Sequence, residues 1–224
     1  VNEELEPSGP PFYPSRSDPV PMPRTMQAIA SDLDAVLKRT GQKGPYVLVG
    51  HSLGGLFMRY YAMTRPNDVA GLVLVDATTE TVWDDFKKVL PPEDWVGFEK
   101  GTVENPELKA AYPEAEFLLT APLADDPLLM EVRRAIRETP LRPMPLIVLS
   151  HGIPFAAPFP SWPVEKMEQI MSSNQARVAG LVPNAKHIVA QKSGHNIHQD
   201  EPELVIEAVR RVVDAVRDPS TWTN

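Results

Sequence analysis

The 224-residue sequence contains no cysteine, which excludes a disulfide framework, a thiol nucleophile and a zinc-thiolate site. This absence is compatible with a reducing or an oxidising compartment, so the localisation stays open. Basic residues are not in excess either, because 30 acidic and 22 basic side chains give a formal net charge of −8. Nucleic acid and anionic membranes are therefore not expected partners. No apolar run approaches the length of a membrane span, and no signal peptide is recognisable.

The segment Tyr46–Leu56 predicts a short buried strand, a sharp turn and the start of a helix. Ser52 lies in the turn, between Gly50 and Gly54. A serine hydroxyl is a poor nucleophile at neutral pH, so a reactive serine must stand clear of the sheet beside a general base and backbone N–H groups. We expect side chains at both glycine positions to crowd the turn, and the helix starting near Leu53 to point its positive end at the serine. The pattern is typical of a nucleophile elbow.

A downstream histidine has the surroundings that a general base needs. His195 follows a strand-like run in a loop that contains glycine, and such a loop can hold an imidazole over the serine. His198 is the alternative base, but it lies closer to the next helix, where Asp200 and Glu203 are expected to form a capping pair. No third ligand accompanies the two histidines, so no metal site is expected.

These segments resemble the α/β-hydrolase family from about Arg24 to the C-terminus. Besides the elbow, the apolar run Val69–Ala77 is similar to the family strand that follows the elbow helix, and Ser193–His198 is similar to the family's histidine loop. The order of serine, acid and histidine also fits. The resemblance implies a three-layer α/β-hydrolase sandwich with a mostly parallel sheet and a helical cap. It also implies that the backbone N–H of Leu53 is one oxyanion donor.

The acid of the catalytic triad has more than one candidate. Many family members place it just after the strand that corresponds here to Pro145–Leu149, but no carboxylate follows this strand directly. Some relatives use the end of the preceding strand, where this sequence has Asp76, so we predict that Asp76 orients the histidine. Glu80 and Glu165 are the alternatives. His151 would then occupy the vacated position and contact the substrate.

Residues 80–140 lack the alternation of strands, and their periodicity predicts several helices. These helices are expected around residues 83–90, 107–112 and 128–137. We therefore predict a helical cap over residues 80–140, inserted into a core made of residues 1–79 and 141–224. Such a cap would cover the serine and exclude water. The candidates for substrate contact or pocket lining are His51, His151, Trp83, Phe86, Trp95, Phe98, Phe117, Leu118, Phe155, Phe159 and Trp162.

Only about four sheet strands are recognisable, and we expect the chain to contain the C-terminal half of the family sheet. They lie at residues 46–50, 70–76, 145–149 and 186–191. No strand-like run precedes Val47, and the chain does not begin with Met. In the family, a loop after an early strand supplies the second oxyanion donor. The nucleophile strand would form an exposed edge, which natural proteins avoid. We therefore expect a second polypeptide or a symmetric dimer to cover it, unless the sequence is a fragment.

The motifs together predict a serine hydrolase of carboxylic esters or lactones. An acyl-enzyme would form on Ser52 and be released by water that His195 activates, so no cofactor is implied. A serine at this position argues against the dehalogenase and epoxide hydrolase branches, where the family has Asp. The fold also hosts amidases, aminopeptidases and other chemistries. A non-catalytic ligand-binding relative is the alternative from a different functional class, because no acid follows the Leu149 strand.

Overall fold

The computed structural model describes residues 24–106 and 122–222, and its centre is a sheet of four parallel strands. The strands are neighbours in the order of the sequence: β1 (Tyr46–His51), β2 (Val69–Val75), β3 (Leu146–His151) and β4 (Lys186–Ala190). They occupy the segments that the sequence predicted, so the expectation of a parallel α/β sheet with about four strands is confirmed.

Helices connect the strands and cover both faces of the sheet. They are α1 (Met26–Arg39), α2 (Leu53–Thr64), α3 (Val82–Val89), α4 (Pro92–Val103), α5 (Pro127–Glu138), α6 (Val164–Ala179), α7 (Ile197–Asp200) and α8 (Pro202–Arg217). In the described part of the chain, 3-10 turns lie at Leu123–Asp125, before α5, and at Pro219–Thr221, after α8. Among the residues that the structure describes, no helix is both long enough and apolar enough to cross a membrane.

The two faces of the sheet are buried by different helices. Along β2, Leu72 and Leu74 point to the face where α1, α2 and α5 pack. Val73 and Val75 point to the opposite face, which α8 covers. Both β2 and β3 are buried along almost their whole length, as expected for parallel strands that are covered on both faces. The result is the expected arrangement of helices, sheet and helices in three layers.

The described part of the predicted cap, residues 80–106 and 122–140, packs in two different places. Helices α3 and α4 form an aromatic cluster with α6, in which Phe86 and Trp95 are buried beside Met167. Helix α5 instead buries Leu128 and Val132 in the cluster that contains α1 and α2. The α5 segment therefore belongs to the layer on the sheet. The helix predicted around residues 107–112, as well as Phe117 and Leu118, lies outside the described residues.

Two glycines allow the start of α2 to lie close to its neighbours. A Cβ on Gly50 would lie 2.6 Å from Cα of Gly55, and a Cβ on Gly55 would overlap that of Ala77. Apart from its chain neighbours and the backbone of its own helix, no atom of the described residues lies within 4 Å of a Cβ built on Gly54. The expectation of crowding is therefore confirmed for Gly50 and wrong for Gly54. The second position that has no room for a side chain is Gly55, one residue further along, because α2 meets the segment after β2 there.

Strand β1 lies at one end of the sheet. Within residues 24–106 and 122–222, its only paired strand is β2. Val49, in the middle of β1, is 44% exposed. In this part of the chain the nucleophile strand therefore has the free edge that the sequence led us to expect, with backbone N–H and C=O groups available to a further strand.

The glycines after the elbow give a test of this packing. We expect Gly55→Ala to lower the free energy of unfolding by about 1–3 kcal/mol, because the added methyl group overpacks against Ala77. Gly54→Ala is the matched control, and we expect it to be neutral or stabilising, since alanine favours a helix by up to about 1 kcal/mol over glycine. Urea unfolding measures both. Equal stability of the two variants would contradict the tight contact at Gly55.

Candidate active site

The elbow between β1 and α2 holds Ser52 in a backbone conformation that residues with side chains rarely adopt. Its φ is 53° and its ψ is −127°. Three backbone hydrogen bonds secure this geometry: Ser52 N donates to the carbonyl of Val75 at 3.0 Å, and Ser52 O accepts from Gly55 N at 3.0 Å and Thr78 N at 2.9 Å. The neighbouring segments thus hold the strained turn and present the hydroxyl at the carboxyl edge of the sheet.

Leu53 is the first residue of α2, directly after this turn. The first backbone N–H groups of a helix have no partner within the helix, and they lie at its positive end. The N–H of Leu53 is thus available beside the serine.

Asp76 follows β2 and is 1% exposed, with a positive φ of 42°. Its Oδ2 accepts a hydrogen bond from His195 Nδ1 at 2.6 Å. Its Oδ1 accepts from Nδ1 of His151 at 2.8 Å and from the backbone N of His151 at 3.2 Å. Burial acts to raise the pKa of Asp76, but the hydrogen bonds from the two histidines outweigh it and hold the pKa at about 2. Asp76 is therefore ionised at neutral pH.

The loop that carries His195 is anchored on both sides. Asp200 Oδ2 accepts from Ser193 Oγ and from Gly194 N, both at 3.2 Å, so Asp200 ties down this loop and does not cap α8. His51 Nε2 donates to the backbone carbonyl of His195 at 2.9 Å. Since Nδ1 of His195 donates to Asp76, the neutral ring carries its lone pair on Nε2. Nε2 is the atom that a general base needs.

The histidines around this loop have different surroundings. Burial lowers the pKa of His51, whose ring lies 4.6 Å from those of His195 and His198. His51 therefore packs behind the histidine loop, and it is not among the cavity residues of the described chain. His198 is exposed. Its ring contacts that of His51 edge-on, while the contact with Asp76 is made by His195.

A cavity of about 320 Å³ opens beside Ser52, Asp76 and His195, which all contribute to its wall. The remaining wall is mostly apolar and comes from the segment after β2, from α3, α4 and α6, and from the loop after β3. Of the residues predicted to line a pocket, the structure places Trp83, Phe86, Phe98, Phe155 and Trp162 there. Trp95 and Phe159 pack in the aromatic cluster behind this wall.

The alternative acids lie elsewhere. Glu80 is buried, and its carboxylate pairs with Arg59 at 2.9 Å and with Arg177 at 2.5 Å. Burial acts to raise the pKa of Glu80, but the charges of Arg59 and Arg177 and the hydrogen bonds to the carboxylate together outweigh it and lower the pKa. Glu165 is an exposed residue of α6. Neither carboxylate contacts a histidine of the site, whereas Asp76 contacts two of them.

Sequence reasoning did not single out Glu168. Its Oε2 accepts a hydrogen bond from His151 Nε2 at 2.8 Å, and the side chain lines the cavity. His151 therefore uses both ring nitrogens on carboxylates and has none left for a substrate. Helical spacing on α6 was the available signal, because Glu168, Met171 and Gln175 lie on one face and all three reach the cavity.

Comparison with known proteins agrees with this architecture. The model of the α/β hydrolase fold family matches residues 13–121. The uncharacterized protein YqjL of Bacillus subtilis is 29% identical over 189 residues, which are 83% of this chain, and the chain spans 64% of YqjL. Lipase LipV of Mycobacterium tuberculosis is 48% identical over 54 residues, which are 24% of this chain and 20% of LipV.

A thermophilic esterase from Thermogutta terrifontis superimposes with a TM-score of 0.50 at 23% identity. The match covers 90% of this chain and 76% of the esterase. At this level of identity the likeness concerns the fold. The parallel sheet, the strained serine turn and the match of the family model to residues 13–121 together show that the chain has the α/β-hydrolase fold.

Proposed function

We propose that the protein is a serine hydrolase of carboxylic esters or lactones. The observation that carries this proposal is the 2.6 Å hydrogen bond from His195 to the buried carboxylate of Asp76, at a cavity that Ser52 also lines. Acyl transfer to a hydroxyl requires a serine nucleophile, an imidazole base beside it and a carboxylate that orients the base. The names of two matched proteins, a lipase and an esterase, support ester substrates.

In the proposed reaction, Ser52 Oγ attacks the ester carbonyl while His195 Nε2 takes the hydroxyl proton. The developing oxyanion accepts a hydrogen bond from the N–H of Leu53. His195 then gives the proton to the leaving alcohol, which departs and leaves an acyl group on Ser52. Water then attacks the acyl group with His195 again as the base. The bond to Ser52 Oγ breaks, Ser52 Oγ takes the proton back from His195, and the carboxylic acid leaves. Asp76 holds the ring in the tautomer with the free Nε2 and stabilises the imidazolium.

The walls of the cavity support an apolar substrate. Trp83 and Phe155 lie in the wall beside the proposed triad, and further aromatic rings of α3 and α4 continue it. We propose that these helices form the cap over the site and that Trp83 and Phe155 contact the acyl or alcohol group. An apolar wall excludes water and strengthens the electrostatic interactions that stabilise the transition state.

The free edge of β1 supports a further part of the proposal. In residues 24–106 and 122–222 no strand covers this edge, although it ends at the nucleophile. We propose that a second polypeptide, a second copy of the chain or a further part of a longer protein adds a strand there and supplies the second oxyanion donor.

The nucleophile is tested by covalent labelling and turnover. We expect the wild type to react with a fluorophosphonate and to hydrolyse a short-chain nitrophenyl ester, and Ser52→Ala to lose both, with turnover lowered by about 10⁶-fold. Ser161→Ala is the control, because this exposed hydroxyl bonds Asp94 and takes no part in the site. A folded wild type that neither labels nor turns over would overturn the proposal and favour a ligand-binding relative.

The role of Asp76 as the triad acid is tested by Asp76→Asn. The variant keeps the shape of the side chain, but an amide NH2 facing Nδ1 of His195 would favour the tautomer with its proton on Nε2. We expect kcat to fall by about 10⁴-fold. Glu165→Gln, which changes an exposed carboxylate of α6, should leave kcat unchanged. Steady-state kinetics on the same ester measure both variants. Wild-type turnover by Asp76→Asn would show that another group orients the base.

The covered edge of β1 is tested by the mass of the active species. We expect native mass spectrometry of active fractions to give a mass well above the 24.8 kDa of this sequence, as a dimer, with a second polypeptide or as a longer chain. Separation of the partner should lower turnover by about 10²- to 10³-fold, because one oxyanion donor is lost. An active species of 24.8 kDa would contradict the proposal of a covering partner and would leave the serine mechanism in place.

A further inference from the structure

His151, at the end of β3, lies between two carboxylates. Its Nδ1 donates to Asp76 Oδ1 and its Nε2 donates to Glu168 Oε2, both at 2.8 Å. An ionised carboxylate can only accept a hydrogen bond, so each ring nitrogen must carry a proton. A ring protonated on both nitrogens is an imidazolium. The arrangement therefore places a cation between Asp76 and Glu168, and only 4% of the His151 side chain is exposed.

The electrostatics of the cluster agree with this reading of the hydrogen bonds. Burial acts to lower the pKa of His151, but the hydrogen bonds to Asp76 and Glu168 and their negative charges outweigh it and raise the pKa to about 9. His195 is the other titratable ring on Asp76, and it bonds the opposite oxygen. His187, on the adjacent strand, bonds the side chain of Ser150. The groups that bear on the charge of His151 are thus Asp76, Glu168 and His195.

The contacts of His151 constrain the orientation of the Asp76 carboxylate. Oδ1 accepts two hydrogen bonds from His151, one from the ring and one from the backbone, which leaves Oδ2 directed at His195. Rotation of the carboxylate would break both bonds from His151. A carboxylate held in this way presents one fixed acceptor to the proposed base.

The other side of His151 connects to the wall of the cavity. Glu168 Oε1 accepts from the backbone N of Phe155 at 3.1 Å. The ring of Phe155 lies 4.8 Å from that of His151 and 5.4 Å from that of His195. Glu168 therefore holds the Phe155 loop against both rings, and a chain of hydrogen bonds runs from this loop through His151 and Asp76 to His195.

We propose that His151 is a positioning residue, which fixes the Asp76 carboxylate for His195 and, through Glu168, fixes the Phe155 wall beside it. This inference rests on the proposed hydrolase function. It also gives a direction for the pH dependence. The interaction with both carboxylates is complete while His151 is protonated and is lost as the pH rises through about 9. A neutral ring would turn a lone pair on Nε2 toward Glu168.

The test uses His151→Gln and Glu168→Gln, with His187→Gln as the matched control on β4. We expect His151→Gln to lower kcat about 10-fold with little change in KM, because a neutral side chain replaces charge-assisted hydrogen bonds. We expect the wild-type kcat to decline on the alkaline side near pH 9. In Glu168→Gln this decline should move to lower pH, since the imidazolium loses an anionic partner. His187→Gln should keep the wild-type pH profile.

The protonation of His151 is also measured without turnover, by titration of its ring nitrogens with ¹⁵N NMR. Both nitrogens should stay protonated at pH 7 and lose one proton near pH 9. A neutral ring at pH 7, or a pH profile of Glu168→Gln that equals the wild type, would overturn the inference. Glu168→Gln decides the question if His151→Gln does not fold, because Glu168 is partly exposed. A wild type without labelling or turnover would instead refute the hydrolase function.

Discussion

The site depends on an ionised carboxylate that is almost completely buried. Removing the charge of Asp76 from water is costly unless its oxygens are hydrogen-bonded. Three hydrogen bonds from His151 and His195 meet this requirement. They join the end of β2, the end of β3 and the histidine loop at one point. Segments that are far apart in the sequence are thus held together by the hydrogen bonds that the buried carboxylate of Asp76 requires.

The order of the strands determines which side chains can meet there. Parallel strands bring their carboxyl ends to one edge, and β1, β2 and β3 are consecutive neighbours. Ser52 and Asp76 each follow the strand before them directly, and His151 is the last residue of β3. The loop after β4 brings His195 back to this edge, where the anchored backbone of Gly194 limits its position. The sheet therefore sets the distance between Ser52 and Asp76, and the loop after β4 places His195 beside them.

The strands and the placement of Ser52, Asp76 and His195 were predictable because each is encoded locally. Apolar runs mark buried strands, and the residue that follows a parallel strand lies at the carboxyl edge. The hydrogen-bonded role of His151 was not predictable, because it depends on Glu168 on a separate helix whose rotation about its axis is set by packing. For the same reason the sequence could not separate α5 from the predicted cap. Its apolar face fits either place, and contacts with α1 and α2 decide.

The charges of the cluster give a physical reason for a histidine at position 151. Asp76 and Glu168 with the His151 imidazolium leave one net negative charge beside His195. When His195 takes a proton in the proposed reaction, the cluster becomes neutral. The positive charge of the His195 imidazolium therefore develops beside a net negative charge that stabilises it. A neutral residue at 151 would leave two carboxylates without a shared cation, and their repulsion would raise the pKa of at least one of them. Protonation of Asp76 would remove the charge that stabilises the His195 imidazolium. A cation at 151 therefore lets Asp76 keep its full charge while Glu168 holds the adjoining wall.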